Sequence, residues 1–410
     1  CIMSELYSLF YETKGICTDT RKILPDSLFI ALKGNNFNGN LFANKAIDKG
    51  AKYAIVDQKE FANDRNILYV PSTLKFLQDL AKYHRAKFNI PVIGITGSNG
   101  KTSTKELIYS VLAKKFNTIA TKGNLNNHLG VPFTLLRIKK EHEIAIIEMG
   151  ANQPGDIQEL CEIASPTHGI ITNIGKAHLE GFGNLEGVVK TKSALYHSVR
   201  KQNGVIFYNQ EDLLLKSLLD DSTENISFGQ KNANITGQII ELTPYIHMCW
   251  QSSSYRSENI NTSMVGTYNF YNFLAAISIG NYFGVKEIDI SDAVATYKPE
   301  NKRSQVLETQ KNTLIIDCYN ANPTSMLLAL ESFRDFRNNK KLAIIGDMLE
   351  LGEESDLEHQ KIIDYCKEHK IEFMTVGPIF NEHNKDRAYK NVAEISSELN
   401  MVNATAILLK

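Results

Sequence analysis

The sequence predicts an α/β protein of three domains. A small α/β domain covers residues 1–90, a central parallel-sheet P-loop ATPase-type domain covers 91–300, and a Rossmann-like α/β domain covers 301–410. Three observations carry this expectation. At 410 residues the chain is longer than one hydrophobic core serves. From Val92 onward, apolar runs alternate with helix-like stretches, the pattern of a parallel sheet covered on both faces. That alternation stops in the linker "TYKPENKR" and then restarts.

The elements follow in chain order. The β-like runs "SLFIAL", "KYAIV" and "NILYV" and a helical stretch after Ser72 make up the first domain. "FNIPV" reads as a linker, because Pro91 disfavours helix at Ile90. "VIGIT", "EIAIIEM", "HGIITNI" and "GVIFYN" read as central strands, and the more polar stretch Asn225–Ser263 as an insertion or a sheet edge. "TLIID", "KLAIIG", "EFMTVG" and "TAILL" are the strands of the last domain.

Composition narrows the function class. Apolar residues are 43% and charged residues 22% of the chain, ordinary for a globular protein. A formal net charge of -1 supplies no field for nucleic acid or a membrane surface. Cys1, Cys17, Cys161, Cys249, Cys318 and Cys366 form no Cys-x-x-Cys pair, which argues against zinc or a disulfide framework and for a reducing cytoplasm. No run of 18 apolar residues predicts a membrane helix. Cys1-Ile2-Met3 lacks the basic region and apolar run of a secretion signal, and nothing else supports a lipid anchor at Cys1. The expectation is a cytoplasmic monomer.

"GITGSNGKTSTKE", Gly94 to Glu106, lies between an apolar run and a helix-like pattern in which Leu107, Ile108, Val111 and Leu112 recur. Counting back from Gly100, Ile95 stands where the usual phosphate loop has its first glycine. Even so, Gly97 and Gly100 allow the backbone N–H groups to turn toward a phosphate at a helix N-terminus. Lys101 would reach the β- and γ-phosphates, and the Thr102 hydroxyl suits Mg²⁺. A glycine-rich turn that only caps the helix is the alternative.

The shortened loop Thr96-Gly97-Ser98-Asn99-Gly100-Lys101-Thr102-Ser103 resembles that of the Mur ligase family. So do "EMGA" after Glu148's strand, "NIGKAHLEGFGN", "VVKTKSALY", "GTYNFYNFLAA", "DCYNANPTSM" and "IIGDMLELGEES". The resemblance runs from "CTDTRKILPDSLFIALKGNNFNGN" to "AILLK". It implies an ATP-dependent ligase of peptidoglycan synthesis. ATP phosphorylates a carboxylate, and an amine expels phosphate from the acyl phosphate to leave an amide; positioning and electrostatics carry such a reaction. The last two motifs imply UDP-MurNAc-tripeptide and D-Ala-D-Ala as substrates. Another family member adding a single amino acid and a catalytically degenerate nucleotide-binding module are the alternatives. The Asp-Asn-Pro-Arg motif of the diaminopimelate-adding relative is not found in the sequence.

The resemblance also implies site residues. Lys101, Glu148, His178 and Lys192 are expected to be catalytic, and Thr102, Glu148, His178 and a carbamylated Lys192 to hold two Mg²⁺ ions. Gly97 through Ser103, Asn269, Arg303 and Asp317 would bind ATP, with Asn269 reading adenine. Asp19, Thr20, Arg21 and Asn38 would contact the uridine nucleotide, Asn126 and Asn127 the substrate, and Tyr319, Asn320 and Asn322 the incoming dipeptide. On residue type alone, each has a plainer reading. Glu148 could be a helix N-terminal carboxylate near Pro154, His178 a surface histidine, and Asn269 a helix N-cap. Arg303 could be a solvated linker charge, and Lys192 a solvated lysine beside Lys190.

Four departures from the family pattern stand out. Thr20 replaces a serine. Asn38 and Asn40 replace an acid and a histidine. Ser193-Ala194 replaces Gly-Glu after the central lysine. The sequence stops at Lys410 where relatives continue with Gly-Ser-Arg, so either a tail is missing or a last helix is shortened.

Overall fold

The computed structural model describes residues 2–63, 66–242, 245–299, 302–336, 340–399 and 404–410. Cys1 and the expected boundary between Glu300 and Asn301 lie outside them. Three main sheets organise the chain. The first is all parallel, in the order Ile16–Cys17, Leu28–Ile30, Tyr53–Val56, Ile67–Tyr69. The helix Thr73–Arg85 follows it, opened by the Ser72 hydroxyl accepting from the Lys75 N–H.

The central sheet has nine strands, and Val92–Thr96 lies between His168–Ile171 and Ile144–Glu148. Its period of two decides the layers. Ile93 and Ile95 face the helix Lys101–Leu112, packing with Leu107, Ile108 and Val111. Val92, Ala145 and Ile147 face the other side, with Leu160, Leu195 and Val199. Each such large side chain contributes about 1.5–3 kcal/mol by leaving water. Gly94 lets the helix Leu185–Lys201 approach closely, since a Cβ there would lie 2.7 Å from Leu195 Cδ1. The stretch Asn225–Ser263 extends this sheet as an edge. Ile235–Glu241 pairs antiparallel with His247–Gln251, which pairs antiparallel with Ile260–Asn261.

The third sheet has six strands, with Gln305–Glu308 as an antiparallel edge. The last element, Ala406–Leu409, is a strand seated between Thr313–Ile316 and Lys341–Gly346. This seating carries Lys410 to the carboxyl edge of the sheet, beside Asp317. Open α/β sheets present ligand sites at that edge. Among the described residues, no helix is long and apolar enough to cross a membrane.

Candidate active site

The loop after Val92–Thr96 is built by its neighbour, the segment after His168–Ile171. Ser98 N–H donates to the Asn173 carbonyl at 2.9 Å, and Asn99 N–H to Asn173 Oδ1 at 3.0 Å. The Thr172 hydroxyl donates to the Asn99 carbonyl at 2.6 Å, and Ser98 Oγ bonds both polar backbone atoms of Gly175. Gly97, at φ 150, has no room for a side chain, because a Cβ would fall 1.9 Å from Thr172 Oγ1. Gly100 enters the helix in the left-handed region at φ 80. Both glycines are therefore used conformationally.

Glu148 ends its strand fully buried, not at a helix N-terminus. Its Oε1 accepts from Thr102 Oγ1 at 3.1 Å and from Asn126 Nδ2 at 2.8 Å. Its Oε2 has no hydrogen-bond partner and lies 3.7 Å from Lys105 Nζ. Lys105 is itself wholly buried, donates to the Thr121 carbonyl at 2.8 Å, pairs with Glu106 Oε1 at 2.9 Å, and places a cation near the Glu148 carboxylate. Sequence reading passed over Lys105, although it lies one helical turn after Lys101.

Lys101 Nζ turns back on its own loop, donating to the Gly97 and Ser98 carbonyls at 2.7 and 3.2 Å. Lys192 is buried on a face with Val188 and Tyr196, whereas Lys190 is exposed, so the solvated alternative does not hold. Lys192 Nζ donates to the Gly97 carbonyl at 3.1 Å and is not among the residues lining the cavity. Burial, then the nearby Lys101 charge, pushes its pKa well below 10.5.

The loop faces a cavity of about 600 Å³ lined from two domains. Ser98 through Ser103, Asn126, Asn127, Glu148, His178 and Asn269 come from the central side. Arg303, Asp317, Tyr319 and Asn320 come from the last domain. The Arg303 guanidinium stacks 3.5 Å over the Tyr319 ring, and its buried Nε has no partner. It is thus a wall of the site rather than a solvated linker charge. Asp317 accepts from Ser304 N–H at 3.2 Å and from Lys410 Nζ at 2.8 Å. Lys410 also donates to the Asn320 carbonyl at 3.0 Å.

Several expected residues are engaged differently. Asn269 is not an N-cap, a position held by Gly266. Its Nδ2 donates to the Val265 carbonyl and to Ser304 Oγ at 2.7 and 3.0 Å, and its Oδ1 accepts from Asn272 at 2.9 Å. Both amide hydrogens are used, so one lone pair on Oδ1 is what remains for an adenine amino group. Asn322 does not line the cavity. It caps the helix Pro323–Asp335 in a capping box with Ser325 and donates to Asn99 Oδ1 at 2.8 Å across the domain boundary. His178, at φ 53, points Nδ1 at Glu350 Oε2 of the last domain. Asn127 lines the cavity but spends its Oδ1 on the N–H groups of Leu129 and Gly130.

Asp19, Thr20, Arg21 and Asn38 do not line this cavity. Asp19 and Arg21 form a local pair at 2.8 Å, and Asn38 caps the turn Gly39–Phe42 and bonds Gln58. Sequence reading missed His128, Asn152, Tyr268, Asn272, Ser304 and Lys410 among the lining residues. Tyr268 and Asn272 lie inside the motif "GTYNFYNFLAA". Lys410 carried no local signal, because its partner Asp317 is 93 positions away.

Family models cover the chain in three pieces. The Mur ligase family catalytic domain matches residues 12–85, the Mur ligase middle domain 95–280, and the Mur ligase glutamate ligase domain 302–407. A UDP-N-acetylmuramoyl-tripeptide–D-alanyl-D-alanine ligase of Bacillus subtilis (strain 168) is 34% identical over 351 residues, 85% of this chain and 76% of that protein. One of the same name from Escherichia coli (strain K12) is 33% identical over 368 residues, 88% of this chain and 81% of its own. Among solved structures, a MurF from Acinetobacter baumannii superposes with a TM-score of 0.88 at 29% identity, covering 99% of this chain and 94% of that one. The MurF ligase of Thermotoga maritima in complex with ADP gives 0.86 at 27%, covering 97% and 94%. By these matches along its length, the chain belongs to the Mur ligase family.

Proposed function

We propose that this chain uses ATP to join D-alanyl-D-alanine to a UDP-N-acetylmuramoyl-tripeptide, giving the pentapeptide precursor of peptidoglycan, in the cytoplasm. The observation that carries the reading is one cavity walled by a phosphate loop from the central domain and by Arg303, Asp317, Tyr319 and Asn320 from the last. Two-sided enclosure suits a reaction that brings a nucleotide, a carboxylate and an amine together. Relatives at 33–34% identity carry the matching name over most of the chain.

The residues divide the work by chemistry. Loop N–H groups, Lys101 and Arg303 offset phosphate charge. The substrate carboxylate attacks the γ-phosphorus and ADP leaves. The dipeptide amine then attacks the acyl carbon, loses a proton, and expels inorganic phosphate. Residues 1–90, with Asp19, Thr20, Arg21 and Asn38, take the uridine nucleotide. Residues 91–300 take ATP, and 301–410 the dipeptide and part of the nucleotide.

Mg²⁺ fits the donors present. The Thr102 hydroxyl and Glu148 carboxylate are adjacent hard oxygens, and Glu148 Oε2 is a buried acceptor without a hydrogen bond. The ion would supply charge neutralisation at the phosphates. His178 and a carbamylated Lys192 belong to the same proposal for a second ion, the lysine supported by its burial and lowered pKa.

The test is product identification. Incubation with ATP, Mg²⁺, UDP-MurNAc-tripeptide and D-Ala-D-Ala should give a nucleotide product heavier by the dipeptide less one water, with equal ADP and phosphate. Recovery of the unextended tripeptide would refute the reading.

A further inference from the structure

Ser304 joins two walls of the cavity. It is 2% exposed and holds the left-handed conformation at φ 49, as does Lys302 at φ 57. That region costs a non-glycine residue free energy and persists only where contacts impose it. The contacts are present. Ser304 Oγ accepts from Asn269 Nδ2 at 3.0 Å and shares a hydrogen bond with Tyr268 OH at 2.9 Å. Both partners belong to the helix Thr267–Tyr282, on the central side. The Ser304 N–H then donates to Asp317 Oδ1 at 3.2 Å, on the other side of the cavity.

The chain of bonds continues at both ends. Asn269 Oδ1 accepts from Asn272, whose Oδ1 accepts from the Thr104 hydroxyl of the loop helix at 3.0 Å. Asp317 accepts from Lys410. A path of hydrogen bonds thus runs from the phosphate-loop helix to the last domain through one serine. Arg303, the preceding residue, is fixed in direction by the same backbone.

We infer that Ser304 is a positioning residue for the nucleotide side of the reaction: its hydroxyl, held by Tyr268 and Asn269, imposes the backbone conformation that aims Arg303 and Asp317 into the cavity. The inference rests on the proposed ATP-dependent reaction for its kinetic readout, but not for its binding readout. Asn269 acts here through Ser304, to which it gives one of its two amide hydrogens, the other going to the Val265 carbonyl. Disruption should harm ATP handling and spare the dipeptide.

The test compares Ser304→Ala, Ser304→Gly and Tyr268→Phe in the full chain. ADP affinity is measured by calorimetry, and KM for ATP and for D-Ala-D-Ala by phosphate release. Ser304→Ala should weaken ADP binding and raise KM for ATP about tenfold, with KM for D-Ala-D-Ala unchanged. Ser304→Gly lacks the hydroxyl but adopts positive φ freely, so it should lose less than Ser304→Ala. Tyr268→Phe keeps the ring and should shift ADP affinity in the same direction by less. The Ser304→Ala/Tyr268→Phe double variant should be no worse than Ser304→Ala. Wild-type ADP affinity in Ser304→Ala, a larger loss in Ser304→Gly than in Ser304→Ala, equal rises in both KM values, or additive losses in the double variant would overturn the inference. Absence of ligation by wild type, with the ADP losses intact, would instead overturn the proposed reaction alone.

Discussion

Lys101 and Lys192 donate to the same acceptor, the carbonyl oxygen of Gly97, at 2.7 and 3.1 Å. Two ammonium groups on one carbonyl repel, and Lys192 is the more buried. A neutral Lys192 amine removes the repulsion and can add CO₂ with release of a proton, becoming a carbamate anion with two oxygens. Lys192→Ala should lose most turnover yet still bind ADP, and formate or acetate should restore part of it. Lys190→Ala should change little. Near-normal turnover of Lys192→Ala in CO₂-depleted buffer would make the residue structural.

The same burial has a stability consequence. The folded state binds the Lys192 proton less readily than the unfolded chain does. The penalty is therefore absent above the ordinary 10.5 and grows as pH falls toward the lowered value. Lys192→Met should unfold at a higher urea concentration than wild type at pH 7 in CO₂-free buffer. A lower midpoint would show that the amine is stabilising as it stands.

Lys101 gives a kinetic signature in pH. Burial lowers its pKa from 10.5, with Glu148 pulling it back up and Arg303 adding to the fall. Its cation is lost as pH rises through that lowered value, so kcat/KM for ATP should fall on an alkaline limb that begins before 10.5. Lys101→Arg stays charged and should lack that limb, at reduced turnover. An unmoved limb would assign it to another group.

Contacts between the central and last domains should control domain closure. Lys176 Nζ reaches Glu354 Oε2 at 2.5 Å and Glu358 Oε1 at 2.9 Å, while Asn99 pairs with Asn322. Glu358 is buried and keeps Lys361 Nζ at 2.8 Å, so removing Lys176 takes away the link between domains without leaving that carboxylate unpaired. Lys176→Ala should raise the radius of gyration of the free protein in solution scattering, and an ATP analogue with the UDP substrate should lower it again. Identical profiles for variant and wild type would deny the latch.

What could be read in advance followed locality. "VIGITGSNGKT" declares a buried strand, two conformational glycines and a helix start within a dozen positions, and each part depends only on its neighbours. Glu148 was legible because a carboxylate ending an apolar strand needs a reason. Asn322 and Asn269 were ambiguous because an amide near a helix start looks alike whether it caps, bridges domains or faces a ligand. Their partners, Asn99 and Ser304, are 223 and 35 positions away. Lys410 and Lys105 were invisible for a related reason: a lysine's partner is chosen by the sheet edge, which only the assembled fold defines.

The most direct measurement is steady-state phosphate release with ATP, Mg²⁺ and UDP-MurNAc-tripeptide, comparing D-Ala-D-Ala with D-alanine, L-lysine and diaminopimelate as acceptors. The account predicts rapid release with D-Ala-D-Ala and background with each single amino acid. Equal release with lysine or diaminopimelate, or none with D-Ala-D-Ala, would contradict it.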